Sequence, residues 1–255
     1  ASAPAEITGV RLVYELVGRG SSGLGTPEPF TPARSLSLQV PIDVNSGNGF
    51  VPAGSEFVYY WEVTTADGVV TKSAEQRYLH LPPGRQWETV ENSFMRVYYY
   101  GNRTSLAEAY LKSGQGTYDR IGKQLLKTEL KQIPVKVILF ANEADMSEAQ
   151  QSRGQTYDSA TVICGTKFTD DIVFVIPQNC GSPDRTDTLR HEFGHILNQV
   201  AGEGTLSKLP SWLDEGTAVY AQSTPGDYEP AYNAAVRANR LIAFNRLGSP
   251  PNDPQ

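Results

Sequence analysis

The sequence predicts an α+β protein in two parts: a β-rich domain over residues 1–84, arranged as a small antiparallel β-sandwich, and an α+β domain over residues 85–255. Three observations carry this. Before residue 84, apolar residues alternate or gather in short β-branched and aromatic runs separated by turn residues. After it, strand-sized apolar runs come first and helix-period segments follow. Between them, "LPPGRQW" (81–87) has the prolines and glycine of a junction.

In the first domain, "EITGVRLVYELVG" (6–18), "SLSLQVPI" (35–42), "SEFVYYWEVTTA" (55–66) and "GVVTKSAEQRYLHL" (68–81) read as strands. Turn signals at Gly20–Gly25, Pro27–Pro32, "VNSGNG" and Asp67–Gly68 separate them. Several short strands with no helix between them suggest a sandwich of immunoglobulin-like type. Tyr59, Tyr60 and Trp61 could form a binding platform, but alternation along a strand divides them between core and surface. "GRGSSG" (18–23) fits a dinucleotide-binding pattern. The prolines of the following "LGTPEPFTP" forbid the helix that pattern needs, so the stretch is expected to be a loop.

In the second domain, "ENSFMRVYYYG" (91–101) reads as a strand. Thr104 can cap a helix over 105–130, whose face is Leu106, Ala109, Tyr110, Ser113, Thr117, Ile121 and Leu125, with Gly114 and Gly116 placed to kink it. "PVKVILF" (134–140) is a strand, and "SATVIC" (159–164) and "DIVFVI" (171–176) can pair as a hairpin. Ser182 as cap and Pro183 in the first turn open a helix through about Val200. Leu209 and Pro210 open another, "SWLDEGTAVYAQ", and "YEPAYNAAVRANRLIAF" is a third.

Composition excludes some functions. With 22 Lys and Arg against 28 Asp and Glu, the net charge is −6 and no basic stripe is present. A nucleic-acid or anionic-membrane partner is therefore not expected. No apolar run approaches the ~20 residues of a membrane span. The start "ASAPAEITG" resembles the end left when a signal peptide is removed. Cys164 and Cys180 flank fifteen residues, and their pairing could contribute ~3 kcal/mol through the unfolded state. Both features lead us to expect a secreted or extracytoplasmic, cell-surface protein in an oxidising compartment.

Of only three histidines in 255 residues, two lie in "HEFGH". On a helix, residues four apart share a face, roughly 6 Å apart along the axis. His191 and His195 can therefore converge on one ion, and Zn²⁺ favours nitrogen ligands in a tetrahedral array. Glu192, rotated about 100° from His191, is placed to act on water as a general base. A catalytic site needs a third ligand and an open position. Glu215 in "LPSWLDEGTAVY" is the candidate, on a helix whose Trp212, Leu213 and Ala218 offer an apolar side for docking. Asp214 is the rival ligand, pointing elsewhere on the same helix. Asp187, one turn before His191, is either an outer partner of a ligand imidazole or a solvated first-turn carboxylate.

"HEFGH" followed by "LPSWLDEGTAVY" resembles the gluzincin branch of zinc metallopeptidases. It is most similar to the bacterial peptidase MA-like family, with its L-P-x-W-L-x-E-G-x-A-x-Y segment. The resemblance implies a zincin-like metallopeptidase domain at 85–255, His191, His195 and Glu215 as zinc ligands, and Glu192 as catalytic base and acid. It also implies a peptide or protein substrate, and a β-rich region ahead of the protease-like part that could meet a cell-surface partner. The Gly-x-Met-x-Asn segment and the downstream tyrosine of related aminopeptidases are not evident. The oxyanion donor is thus open among Tyr220, Tyr228 and Tyr232, each of which is expected to pack. "DIVFVI" is either a sheet edge on which an extended peptide lies or an interior strand. The rival readings are a surface binding or assembly protein that keeps the fold without turnover, and a hydrolase of a non-peptide amide.

Overall fold

The computed structural model describes residues 1–44, 49–130, 135–150, 164–178, 182–202, 209–223, 228–243 and 246. The chain divides into two compact units, Ala1–Pro83 and Gly84–Gln255. An antiparallel sheet, a mixed sheet and a set of helices make the architecture α+β. Among the described residues no helix is long and apolar enough to cross a membrane.

Six strands, β1 (Ser2–Leu16), β2 (Ser21–Gly25), β3 (Ala33–Ser35), β4 (Glu56–Thr65), β5 (Val70–Lys72) and β6 (Gln76–Leu79), form the first unit's sheet. The long pair β1 and β4 is its centre. β2 and β3 share the free edge of β1, and β5 and β6 share that of β4. Residues opposite each other in a ladder share a face. Val10, Leu12 and Tyr14 thus lie beside Val63, Trp61 and Tyr59. A bulge between Ile7 and Gly9 shifts the alternation and brings Ile7 to the same side. Tyr60 falls on the opposite face, under Lys72, whose Nζ also lies 3.2 Å from Glu62.

The second sheet that an immunoglobulin-like sandwich requires does not occur among the described residues of this unit. The expected strand at 35–42 is reduced to Ala33–Ser35. Beyond it the chain lies over the sheet instead, with Val40 against Gly25. "GRGSSG" is only partly a loop: Gly18 and Gly20 turn the chain at positive φ, and Ser21–Gly25 pairs with β1.

The second unit is built on strands β7 (Trp87–Glu91), β8 (Met95–Tyr100), β9 (Val135–Leu139), β10 (Gly165–Thr169) and β11 (Ile172–Val175), in the order β7-β8-β9-β11-β10. β8, β9 and β11 run parallel, and the outermost strands pair antiparallel. β9 and β11 are buried throughout, as parallel strands covered on both faces must be. Val97, Val137, Leu139, Val173 and Val175 pack against Tyr110, Ile121, Leu189, Phe193, Ile196 and Leu197 of three helical segments. Each such buried side chain contributes about 1.5–3 kcal/mol.

The first of these segments, α1 (Thr104–Thr117), runs unbroken through Gly114 and Gly116 and widens into a π-helix from Tyr118 to Leu126. Thr104 does not cap it; its hydroxyl accepts from the Tyr99 phenol at 3.0 Å. A short helix, α2 (Glu143–Glu148), is one that periodicity does not announce. It starts where the Asn142 side chain accepts from the Asp145 N–H.

The hairpin partner of β11 is β10, not "SATVIC", of which residues 159–163 lie outside the described residues. The turn falls at Asp170–Asp171, where Thr169 Oγ1 donates to Asp171 at 3.0 Å. β11 is therefore an interior strand and β10, among the described residues, the sheet edge. Cys164 is buried and is not a free thiol. Cys180, its expected partner, lies outside the described residues. The remaining helices are α3 (Asp187–Ala201), α4 (Ser211–Ala221) and α5 (Glu229–Arg237). α3 starts five residues after Ser182, because Asp184 accepts from the backbone and hydroxyl of Thr186 and holds a turn there.

Candidate metal centre

One helical turn brings the imidazoles of His191 and His195 together, with 3.3 Å between their Nε2 atoms. α4 brings Glu215 Oε2 to 3.6 Å from His191 Nε2 and 3.8 Å from His195 Nε2. A tetrahedral site with bonds of about 2.0–2.1 Å requires donors roughly 3.3–3.5 Å apart. The three atoms meet that requirement within a few tenths of an ångström, and two neutral imidazoles with one carboxylate suit a divalent cation. Among the described residues these three are the one group so arranged. Burial, then the neighbouring His195, pushes the His191 pKa down, which favours the neutral form that binds metal. The Glu215 side chain is 62 % exposed, against 22 % and 13 % for the histidines, so the triangle of donors is open on its carboxylate side.

The two helices that carry these three residues meet through small residues. A Cβ on Gly194 would stand 2.9 Å from Ala218 Cα and 3.4 Å from Ala221 Cβ, so glycine sets the closeness of the crossing. Trp212 and Leu213, expected at this contact, are instead over a third exposed. Arg120, on the π-helix, donates to the carbonyls of Tyr220 and Ala221 at 3.1 and 2.6 Å. It thereby satisfies acceptors that the end of α4 leaves open. Asp187 is neither an outer partner of His191 nor solvated. It is buried and accepts from Ser182, Arg190 and both the backbone and hydroxyl of Ser223, tying the start of α3 to the end of α4.

Glu192 points to the sheet edge, where its carboxylate accepts from the Lys167 backbone N–H at 2.8 Å. Gly165 lets α3 lie close to this strand, since a Cβ there would stand 2.3 Å from Thr188 Cγ2 and 3.2 Å from the Phe174 carbonyl. Burial pushes the Glu192 carboxyl up. His195 and the Lys167 N–H oppose that rise. Asp214 is not at the donor triangle. Its Oδ2 lies 2.9 Å from His195 Nδ1, the other ring nitrogen. Asn198 donates to Asp214 Oδ1 at 2.8 Å and to its carbonyl at 3.1 Å. Sequence reasoning missed both roles; the one available signal was an acidic residue beside Glu215. Tyr220, Tyr228 and Tyr232 do not pack as expected and are 57–61 % exposed. Tyr220 lies beneath the Arg120 guanidinium.

No family model, no curated protein and no solved structure matches the chain.

Proposed function

We propose that the second unit is a zinc-dependent metallopeptidase of gluzincin type, acting outside the cytoplasm as a secreted or cell-surface protein. The observation that carries the reading is the meeting of His191, His195 and Glu215 at tetrahedral donor spacing, beside a buried Glu192. A zinc ion bound there supplies Lewis acidity, which acidifies water and polarises a carbonyl. The residues of the chain do the rest. Glu192, its carboxyl raised by burial, takes a proton from the attacking water and returns it to the leaving nitrogen. The exposed side of Glu215 leaves room for substrate.

The helix carrying the motif lies against a mixed sheet whose strand nearest the site, β10, runs antiparallel to its neighbour, which supports a zincin-like reading of this unit. Among the described residues β10 is the outermost strand beside the site, and an extended peptide laid along it would pair with backbone groups other than the Lys167 N–H, which Glu192 holds, a mode that gives affinity with little sequence preference. The second unit's buried, non-thiol Cys164 supports a bridge to Cys180 and an oxidising compartment. The β-rich first unit would then meet a surface partner.

The test is elemental analysis of protein purified without added metal, then digestion of a peptide library by wild type and Glu192→Gln. One zinc per chain in both, with cleavage reduced at least 10²-fold in the variant, is expected. Zinc in both without cleavage by either would favour a surface binding protein that keeps the site without turnover, and cleavage confined to a non-peptide amide would favour the third reading. Equal cleavage by both proteins removes the mechanism.

A further inference from the structure

We propose that Asn198 and Asp214 form a positioning relay that fixes which nitrogen of His195 is free for the metal. This rests on the metal-site reading above. Neither residue is a catalytic residue, since neither touches the donor triangle.

The geometry is a chain of three side chains from two helices. Asn198 lies one turn beyond His195 on α3 and is 1 % exposed. Its amide donates to Asp214 Oδ1 at 2.8 Å and to the Asp214 carbonyl at 3.1 Å, so both the side chain and the backbone of α4 are held at that residue. The second carboxylate oxygen of Asp214 is thereby left facing His195 Nδ1 at 2.9 Å, off the axis of the ring N–H. A small turn of the carboxylate completes the hydrogen bond. A carboxylate can only accept, so it selects the tautomer with hydrogen on Nδ1 and a bare lone pair on Nε2, the atom that faces His191 and Glu215.

A second observation separates this role from ordinary packing. Asn198 Oδ1 is buried with no hydrogen-bond partner among the described residues. A buried, unpartnered acceptor costs stability, and a leucine of similar size would avoid it. Among the described residues neither imidazole completes a hydrogen bond at Nδ1, but that of His195 has a carboxylate oxygen at 2.9 Å whereas that of His191 has none within ion-pair distance, so the relay serves one ligand of the pair.

The test uses the full chain and three variants, Asp214→Asn, Asn198→Leu and Asp214→Ala. Imidazole nitrogen shifts of the metal-free protein report the tautomer, and competition with a chromophoric chelator reports the zinc dissociation constant. An amide at 214 can donate to Nδ1, which moves hydrogen to Nε2 and blocks it. Asp214→Asn is therefore expected to invert the His195 tautomer, leave the His191 signals in place and weaken zinc binding by about 10- to 100-fold. Asn198→Leu is expected to weaken zinc binding less, with a melting temperature equal to or above that of wild type. A purely structural role would instead lower the melting temperature and leave the tautomer alone. If wild type binds zinc and Asp214→Asn and Asp214→Ala bind it equally well, the relay is wrong while the metal site stands. If wild type takes up no zinc, the metal site fails first. The nitrogen shifts still decide the relay, since hydrogen on Nε2 of His195 in wild type would overturn it.

Discussion

Gly194→Ala tests the reasoning about the metal centre at a residue that is not a ligand. On an isolated helix this change is favourable by about 1 kcal/mol, because glycine has more backbone freedom to lose. Here the new Cβ would stand 2.9 Å from Ala218 Cα, with Ala221 Cβ at 3.4 Å and Ala218 Cβ at 3.5 Å. Ordinary carbon contacts are about 3.5–4.0 Å, and the first clash is with backbone, so α3 and α4 must part by roughly 0.6–1 Å. Overpacking of this kind costs about 1–3 kcal/mol. Set against the propensity gain, it leaves a net loss of about 1 kcal/mol, or about 2–4 °C in melting temperature for a chain of this size. Glu215 rides on the displaced helix. Metal bonds tolerate about 0.2 Å, so zinc affinity should fall about tenfold or more. Thermal melts of the metal-free protein and chelator competition measure the two effects. Gly116→Ala is the control: nothing lies within 4 Å of its added Cβ, so it should gain up to about 1 kcal/mol. If Gly194→Ala is as stable as that control and binds zinc like wild type, the helix crossing does not set the ligand geometry.

Two further outcomes follow from the tie between α3 and α4. Asp187→Ala leaves the Arg190 guanidinium paired with Asp184 but cuts its bond to Asp187 and those from Ser182 and Ser223, so a loss of about 1–3 kcal/mol in urea denaturation is expected, with weaker zinc binding. In acid, Asp184 is a second weak point. Burial alone would raise its carboxyl, but hydrogen bonds from Thr186 and Arg190 outweigh that and hold it down at about 2, against 3.8 ordinarily. Its contribution is therefore complete above pH ~4 and lost as pH falls through about 2. The shift corresponds to roughly 2 kcal/mol, reduced to about 1 kcal/mol by solvent screening at a side chain 35 % exposed. A denaturation series from pH 5 to pH 2 should lose that much less in Asp184→Asn than in wild type; equal slopes would remove Asp184 as a source of acid sensitivity.

The donor triangle was legible because helix geometry converts a four-residue spacing into proximity, and because a carboxylate beside Trp212 and Leu213 stood out on an apolar helix. What surrounds it was not. On the sequence alone Asp214 points elsewhere on its helix, and only the crossing of α3 and α4 makes that direction the far side of the His195 ring. The sheet edge was hidden for a related reason. "GTKFT" has glycine, lysine and two threonines, so it reads as a turn, while "IVFV" reads as a strand whether it lies at an edge or inside. In the first unit, local alternation revealed the strands, but their assembly as one sheet depends on pairings between residues far apart in sequence, such as Leu16 with Phe57. The tie at Asp187 needed Ser223, 36 residues away, and no local pattern encodes such a partner.

The carbonyls closing α4 find their donor in Arg120, a hundred residues earlier in the chain. Such long loops make contacts that arrive late during folding, since closure entropy must be overcome before the contact rewards it. The lock on the end of α4 therefore closes after the helix has settled on α3, whose partners, such as Asn198 for Asp214, lie only sixteen residues away.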